Sequence, residues 1–297
     1  VEFTEEQVVE YIKCKDDPAY FISRYVQIVD VDRGLVPFHL RDYQEKMVDT
    51  FNDSRFVICK MARQSGKSTT IIAYLLHYVL FNESTNVAVL ANKKALAVEL
   101  LGRLQLAYEN LPKWLQQGVV TWNKGNLEIE NGSKIIAAAT SGSAIRGGSY
   151  NIIFLDEFAH VPSNISEQFF NSVYPTISSG ETTKVLIVST PNGMNMFYKM
   201  WIDAEEKRNS YSPIEVHWSQ VPGRDEKWKQ ETIKNTSELQ FQQEFECDFI
   251  GSANTLINGA KLRQLPFRNP IFSHEGLDVY QQPAENHTYV VVVDTSR

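Results

Sequence analysis

Short apolar runs punctuate this chain, and each gives way to a polar turn or a helical pattern. Phe56-Val57-Ile58-Cys59, Val87-Ala88-Val89-Leu90-Ala91, Ile152-Ile153-Phe154-Leu155 and Val185-Leu186-Ile187-Val188 lack the alternation of a half-solvated strand. Unbroken runs of this length predict strands buried on both faces, as in a parallel sheet. Helical patterns lie over Thr69 to Phe81 and over residues 93–110. Strands alternating with helices predict an α/β fold with a mostly parallel central sheet. One hairpin interrupts the alternation. Leu127-Glu128-Ile129-Glu130 and Lys134-Ile135-Ile136-Ala137 flank Asn131-Gly132, a turn-forming pair.

The flanks read differently. Val8, Val9, Ile12, Phe21, Ile22 and Tyr25 fall at helical spacing with a break at Asp17-Pro18, so residues 1–36 predict a helical preface. Another helix is expected from about Arg41. Residues 194–250 predict helices, with strands near Ile214 to Trp218 and Cys247 to Ile250. From about Ser252 to Asn286 the pattern weakens around Pro266, Pro270 and Pro283, as in a linker or hinge. Tyr289-Val290-Val291-Val292-Val293-Asp294 then predicts a new buried strand ending in an acid. The expected organisation is one domain over 1–251, with a core at about 37–220. A small, mainly helical subdomain is expected from the preface and about 221–251. A linker would follow at 252–286, and 287–297 would be the first strand of a further, truncated domain.

Composition narrows the class. Of 297 residues, 43% are hydrophobic and 22% charged, as in an ordinary globular protein. No apolar run approaches a membrane span and no signal-peptide pattern opens the chain, so no membrane partner is expected. Cys14, Cys59 and Cys247 are far apart and odd in number, which fits a reducing cytoplasm and no zinc site. A net charge of −7 argues against coating nucleic acid through overall charge. A local basic track is still compatible with it, and any DNA affinity should be salt-sensitive.

The candidate chemistry sits at the ends of the apolar runs. Arg63-Gln64-Ser65-Gly66-Lys67-Ser68 follows the first run and opens the first helix. This is the context of a P-loop, in which loop N–H groups and a helix N-terminus face phosphate, Lys67 reaches the terminal phosphates and Ser68 ligates Mg²⁺. The full pattern is Gly-x4-Gly-Lys-Ser/Thr, and its first position here is Met61, so the loop is a variant. Asp156-Glu157 closes a second buried run. Asp156 is expected to hold Mg²⁺, and Glu157, just past the strand end, to polarise an attacking water. The run Lys184 to Thr190 stops at Pro191 and Asn192-Gly193. Ser189 and Thr190 are either sensors of the γ-phosphate or a simple strand terminator. Tyr43 could stack on a nucleotide base and Gln44 read adenine bidentately, or both could belong to an exposed helix start. Arg146 lies on a Gly- and Ser-rich loop, Thr140 to Gly148, and is either surface or an arginine finger.

Taken in order, these motifs resemble the large terminase subunit of T4-like tailed phages, over essentially the whole chain. The resemblance is carried by Ala62 to Ser68, Trp122-Asn123-Lys124-Gly125, Arg146-Gly147, Ile153 to Glu157 and Thr190-Pro191-Asn192-Gly193. Phe241-Gln242-Gln243-Glu244, Gly251 and Leu256-Ile257 complete it. It implies a RecA-like P-loop ATPase joined through a hinge to an RNase H-like nuclease. The substrate and cofactor implied are ATP and Mg²⁺. Asp294 matches the first metal-binding aspartate of that nuclease. The other acidic ligands fall outside the chain, so no nuclease activity is expected of it.

The resemblance also implies that Arg63 acts in cis on the γ-phosphate and Arg146 in trans from a neighbour. The implied partners are double-stranded DNA, the phage portal protein, the small terminase subunit and further copies in a ring of five on the portal, in the cytoplasm of an infected bacterium. Two other functions fit the motifs less well. A helicase-like ATPase would need a second RecA-like domain. A nucleotide-gated portal-docking module would hydrolyse little, which the intact Glu157 argues against.

Overall fold

The computed structural model describes residues 3–250, 270–274, 277–284, 287, 288 and 290. The chain falls into two compact units, Val1–Ser252 and Ala253–Arg297.

In the first unit the chain opens with α1 (Glu5–Asp16) and α2 (Pro18–Tyr25). Asp17 separates them, accepting Tyr20 N–H at 2.8 Å, while Pro18 occupies the first helical turn where no N–H is needed. A hairpin follows, β1 (Gln27–Asp30) and β2 (Gly34–Pro37), where the helical preface was expected to run to residue 36. Asp30 Oδ1 accepts the N–H groups of Asp32 and Arg33 at 3.0 Å each, and Gly34 takes φ 73, so the turn is built by an Asx bond and a left-handed glycine.

The motif strands come next. Helix α3 (Asp42–Asp53) leads into β3 (Phe56–Met61), α4 (Lys67–Phe81), β4 (Asn86–Ala91) and α5 (Lys94–Glu109). Then come β5 (Val119–Trp122), β6 (Asn126–Ile129), β7 (Lys134–Ala139) and β8 (Ile152–Asp156). The unit continues through α6 (Ser163–Ser179), β9 (Lys184–Ser189), α7 (Met196–Glu205) and β10 (Ser212–Val216) to α8 (Glu226–Asn235) and α9 (Glu238–Glu244). The sheet order is β10-β3-β9-β8-β4-β7-β6-β5. Strands β10 to β7 in that order are parallel, and β6 and β5 add antiparallel. The expected α/β fold with a mostly parallel sheet is present.

Burial explains the unbroken apolar runs. Val57 and Cys59 of β3 join the core formed with α1 to α5, while Ile58 joins the opposite core with α6 and α7. Strand β8 splits likewise, Ile152 and Phe154 to one side, Ile153 and Leu155 to the other. A strand covered on both faces needs apolar residues at every position. A third, smaller cluster gathers Ala62, Trp218, Phe241, Phe245 and Cys247 with Trp228 and Ile233.

Cys14, Phe21, Ile22 and Val221 belong to the main core, and Phe241 and Phe245 to the third cluster. One expectation is corrected. Residues 247–250 form no strand. Phe249 instead meets Tyr198 and Phe197 of α7, with ring centroids 4.9 and 6.0 Å away, so its burial comes from ring packing rather than sheet pairing.

In the second unit the antiparallel pair β11 (Phe272–His274) and β12 (Leu277–Val279) is described. Gly251, Leu256, Ile257, most of the expected linker and Asp294 lie outside the described residues. No helix among the described residues is long and apolar enough to cross a membrane.

Candidate active site

The three strands that carry the motifs are neighbours, β3 beside β9 and β9 beside β8. Parallel pairing brings their carboxyl ends to one edge, where open α/β sheets hold ligands. Met61, in the consensus glycine position, is the last residue of β3 and is fully buried in the core. The loop then leaves the sheet. Gln64 has φ 57 and Gly66 φ 80, both left-handed. At Gly66 the φ of 80 favours glycine, and a Cβ there would stand 2.6 Å from Gln44 Nε2 and push that side chain aside. Gly66 caps the N-terminus of α4, and Lys67 lies in its first turn.

Strand β8 delivers Asp156 to the same edge. Ser68 Oγ donates to Asp156 Oδ1 at 2.9 Å. Burial, with the neighbouring Glu157 charge, pushes the Asp156 carboxyl up to about 6. Glu157 lies just past the strand end, as expected, with φ 50 and ψ 44. Its Oε1 is 2.7 Å from Lys67 Nζ. Its Oε2 accepts from Ser189 Oγ and Thr190 N–H, both at 3.3 Å, and lies 3.7 Å from His160 Nε2. Burial works to raise the Glu157 pKa, but Lys67, His160 and the Thr190 N–H together hold it below the usual carboxylate range.

Ser189 and Thr190 are therefore bonded directly to Glu157 at the end of β9. The sequence reading missed His160, whose Nε2 is 3.0 Å from Thr190 Oγ1. The signal was available: a histidine three residues after Glu157, on a tight turn, returns to the same side of the chain.

Tyr43 and Gln44 reach the loop but not as expected. Tyr43 Oη donates to Ser65 O at 2.7 Å and accepts from Arg41 Nη1 at 2.8 Å. Gln44 Oε1 accepts Arg41 N–H at 3.0 Å, and its Nε2 approaches Ser65 O at 3.5 Å. Gln44 is 2% exposed, which removes the exposed-helix reading. Bidentate readout of adenine would require the Gln44 amide to leave these contacts, and Gln44 also lines the cavity beside the loop. Tyr43 is also buried, with little ring face left for stacking.

The two arginines are not gathered with the acids. Arg63 Nη1 lies 3.7 Å from Glu244 Oε2 and the side chain is largely exposed. Arg146 is exposed on the turn after β7, its N–H 3.4 Å from Ser143 O. A cavity of about 560 Å³ flanks the loop beneath the hairpin, lined among others by Arg33, His39, Arg41, Gln64, Gly66 and Thr69.

A P-loop nucleotide-binding protein of the RecA-like class is what this edge and its sheet define. The model of the family described as "Terminase large subunit, T4likevirus-type, N-terminal" matches residues 58–264, and the chain belongs to that family. It is 26% identical over 130 residues to the large terminase subunit of Thermus virus P23-45, a match covering 39% of this chain and 26% of that protein. Over the same length it is 28% identical to the large terminase subunit of Thermus phage G20c, again covering 39% of this chain and 26% of the relative. The chain thus aligns with about a quarter of each relative. In fold it is similar to the large terminase of bacteriophage HK97, with a TM-score of 0.66 at 18% identity, covering 79% of this chain and 55% of that one. The ATPase domain of the Thermus phage P74-26 large terminase gives 0.54 at 21% identity, covering 66% and 89%.

Proposed function

We propose that this chain is the ATP-hydrolysing motor part of a DNA-packaging terminase. The observation that carries the reading is the convergence of Lys67, Ser68, Asp156 and Glu157 at one sheet edge, with Ser68 and Asp156 2.9 Å apart and Lys67 and Glu157 2.7 Å apart. The loop N–H groups and Lys67 bind the phosphates. Lys67 exchanges its contact with Glu157 for phosphate oxygen. Glu157, released, accepts a proton from the attacking water. Ser189 and Thr190 hold the same carboxylate, so a change at Glu157 reaches the end of β9.

Magnesium fits the residues. A hydroxyl and a buried carboxylate are hard oxygen donors, and among the described residues no group of three or more acids, histidines or cysteines is placed to hold a metal ion by itself. Such a site suits an ion held by few protein groups and by the substrate's phosphates. Ser68 and Asp156 would hold it, and it would neutralise charge developing on the phosphates.

The related solved terminases include one from bacteriophage D6E in complex with ADP, similar in fold at a TM-score of 0.56 and 14% identity, which supports a nucleotide as ligand. The energy of hydrolysis would drive double-stranded DNA into a prohead. The working partners would be the portal protein, the small terminase subunit and further copies of the chain in a ring of five, in the host cytoplasm. Asp294 would open the nuclease of the longer protein. The test is phosphate release from ATP with magnesium, with and without double-stranded DNA. Release in neither condition, from folded protein that binds ATP, would sink the motor reading.

A further inference from the structure

The loop between β3 and α4 is braced from outside by a side chain with no motif of its own. Arg224 precedes α8, and its Nη2 donates to the carbonyl oxygens of Arg63 at 2.9 Å and Gln64 at 3.2 Å. The next carbonyl, Ser65 O, is held by Tyr43 Oη at 2.7 Å. Three successive loop carbonyls are thus engaged by groups outside the loop. In a trans peptide the N–H points away from the C=O. Fixing carbonyls 63, 64 and 65 therefore turns the N–H groups of Gln64, Ser65 and Gly66 away from the braces. Arg63 and Gln64 form a turn that brings the Ser65 N–H near Ala62 O, but none of the three N–H groups reaches an acceptor within ordinary hydrogen-bond geometry among the described residues. Successive N–H groups presented in this way form a concave anion site. Arg63's own N–H is spent on Glu244 O at 2.7 Å, so the anion site begins at Gln64.

The placement of Arg224 is itself informative. Its guanidinium lies 4.7 Å from the Trp228 ring centroid and 5.5 Å from that of Phe245. Nη1 is buried without a hydrogen-bond partner. No acid forms an ion pair with it among the described residues. Burial draws its pKa below the usual arginine value, with Tyr43 opposing and Arg41 adding to the shift. A half-buried cation with no acid partner leans on aromatic faces and on carbonyl dipoles. Here those dipoles belong to the phosphate loop. That loop has Met61 where the consensus has its first glycine, and it must hold a non-glycine residue, Gln64, at φ 57. Backbone in that region persists when surrounding contacts over-determine it.

We propose that Arg224 is a positioning residue for the nucleotide phosphates, acting through the carbonyls of Arg63 and Gln64 to keep the loop N–H groups turned toward them. The proposal rests on the ATPase reading above. It also links two parts of the chain. Arg224 is carried by the cluster of Trp218, Trp228, Phe241 and Phe245, so phosphate affinity depends on that cluster staying docked beneath the loop.

The test is calorimetric binding of ADP with magnesium, and steady-state ATP hydrolysis, for the wild-type chain, Arg224→Met and Arg224→Lys. In Arg224→Met the ADP dissociation constant should rise about 10–100-fold, the range for losing a charge-assisted hydrogen bond. KM for ATP should rise by a similar factor while kcat falls less than about threefold, as expected when ground state and transition state lose the same support. Arg224→Lys keeps one donor for one carbonyl and should show a smaller loss in the same direction. ADP affinity within about twofold of wild type in folded Arg224→Met, or a kcat loss at unchanged KM, would overturn the proposal. Should Arg224→Met fail to fold by circular dichroism, Arg224→Lys decides: unchanged ADP affinity overturns it. A wild-type chain that binds ADP without hydrolysing ATP would refute the motor reading and leave the brace testable through ADP. One that binds neither would overturn both.

Discussion

Lys67 Nζ and Glu157 Oε1 stand 2.7 Å apart, so the cation of the phosphate loop and the candidate general base neutralise one another. Phosphate and Glu157 therefore compete for Lys67. Lys67→Ala should lose nucleotide binding and turnover together. Glu157→Gln should bind ATP at least as tightly as wild type, because the competitor has lost its charge. Its turnover should fall on the order of 10²–10⁴-fold for want of a proton acceptor. Equilibrium binding and single-turnover hydrolysis on the two variants check this, and hydrolysis near the wild-type rate in Glu157→Gln removes Glu157 from its role.

Gln44 contacts the loop. Its Oε1 takes Arg41 N–H and its Nε2 faces Ser65 O. Gln44→Ala should therefore weaken ATP and GTP by the same factor, corresponding to about 1–3 kcal/mol for a buried polar group left unpaired. Competition binding with both nucleotides measures it. A loss confined to ATP would instead assign Gln44 to reading adenine.

His77 makes stability pH-dependent. It is buried, its Nε2 lies 2.8 Å from Cys14 O, and its Nδ1 has no partner. Burial lowers its pKa from 6.5 to about 4, with hydrogen bonds to the Cys14 and Lys15 backbone opposing. Between those values the unfolded chain binds the proton and the folded chain does not. The contribution is thus fully present above pH 6.5 and declines as pH falls toward 4. The slope is at most about 1.4 kcal/mol per pH unit. Urea unfolding at several pH values should show this decline, and His77→Gln, which keeps a donor for Cys14 O, should flatten it. An unchanged slope in the variant assigns the acid sensitivity to other groups.

Arg146 separates a cis from a trans arrangement. It is exposed and touches none of the four converging site residues among the described contacts. A finger supplied in trans contributes about 10³–10⁵ in rate. Mixing Arg146→Ala with Glu157→Gln protein under assembling conditions should partly restore hydrolysis, because intact sites of the first borrow arginines from the second. If mixed assemblies form and nothing returns, Arg63 is left as the arginine that acts on the γ-phosphate.

What the sequence made legible was whatever has a period or a motif. The runs ending at Cys59, Leu155 and Val188 became β3, β8 and β9, because burial on both faces leaves no room for polar positions. The loop and the Asp156-Glu157 pair were legible because their residue types stand in a motif at the ends of buried runs. Arg224 was not, since its partners are the backbone carbonyls of residues 63 and 64, which every residue has and no pattern marks. The engagement of Tyr43 and Gln44 escaped for the same reason: both bond Ser65 O. The hairpin over residues 27–37 was hidden by apolar residues that fit a helix or a strand equally well until Asp30 and Gly34 are seen to close the turn.

Glu157 holds φ 50 and ψ 44, a backbone region that a side-chain-bearing residue occupies at a cost of about 1 kcal/mol and glycine occupies freely. Folding and chemistry thus favour different residues at this position. In a lineage relieved of the need for turnover, drift should carry position 157 toward glycine or asparagine, giving a hardier but inert protein. The Glu157 backbone thus gives a stability test of its own: Glu157→Gly should unfold at a higher urea concentration than Glu157→Gln.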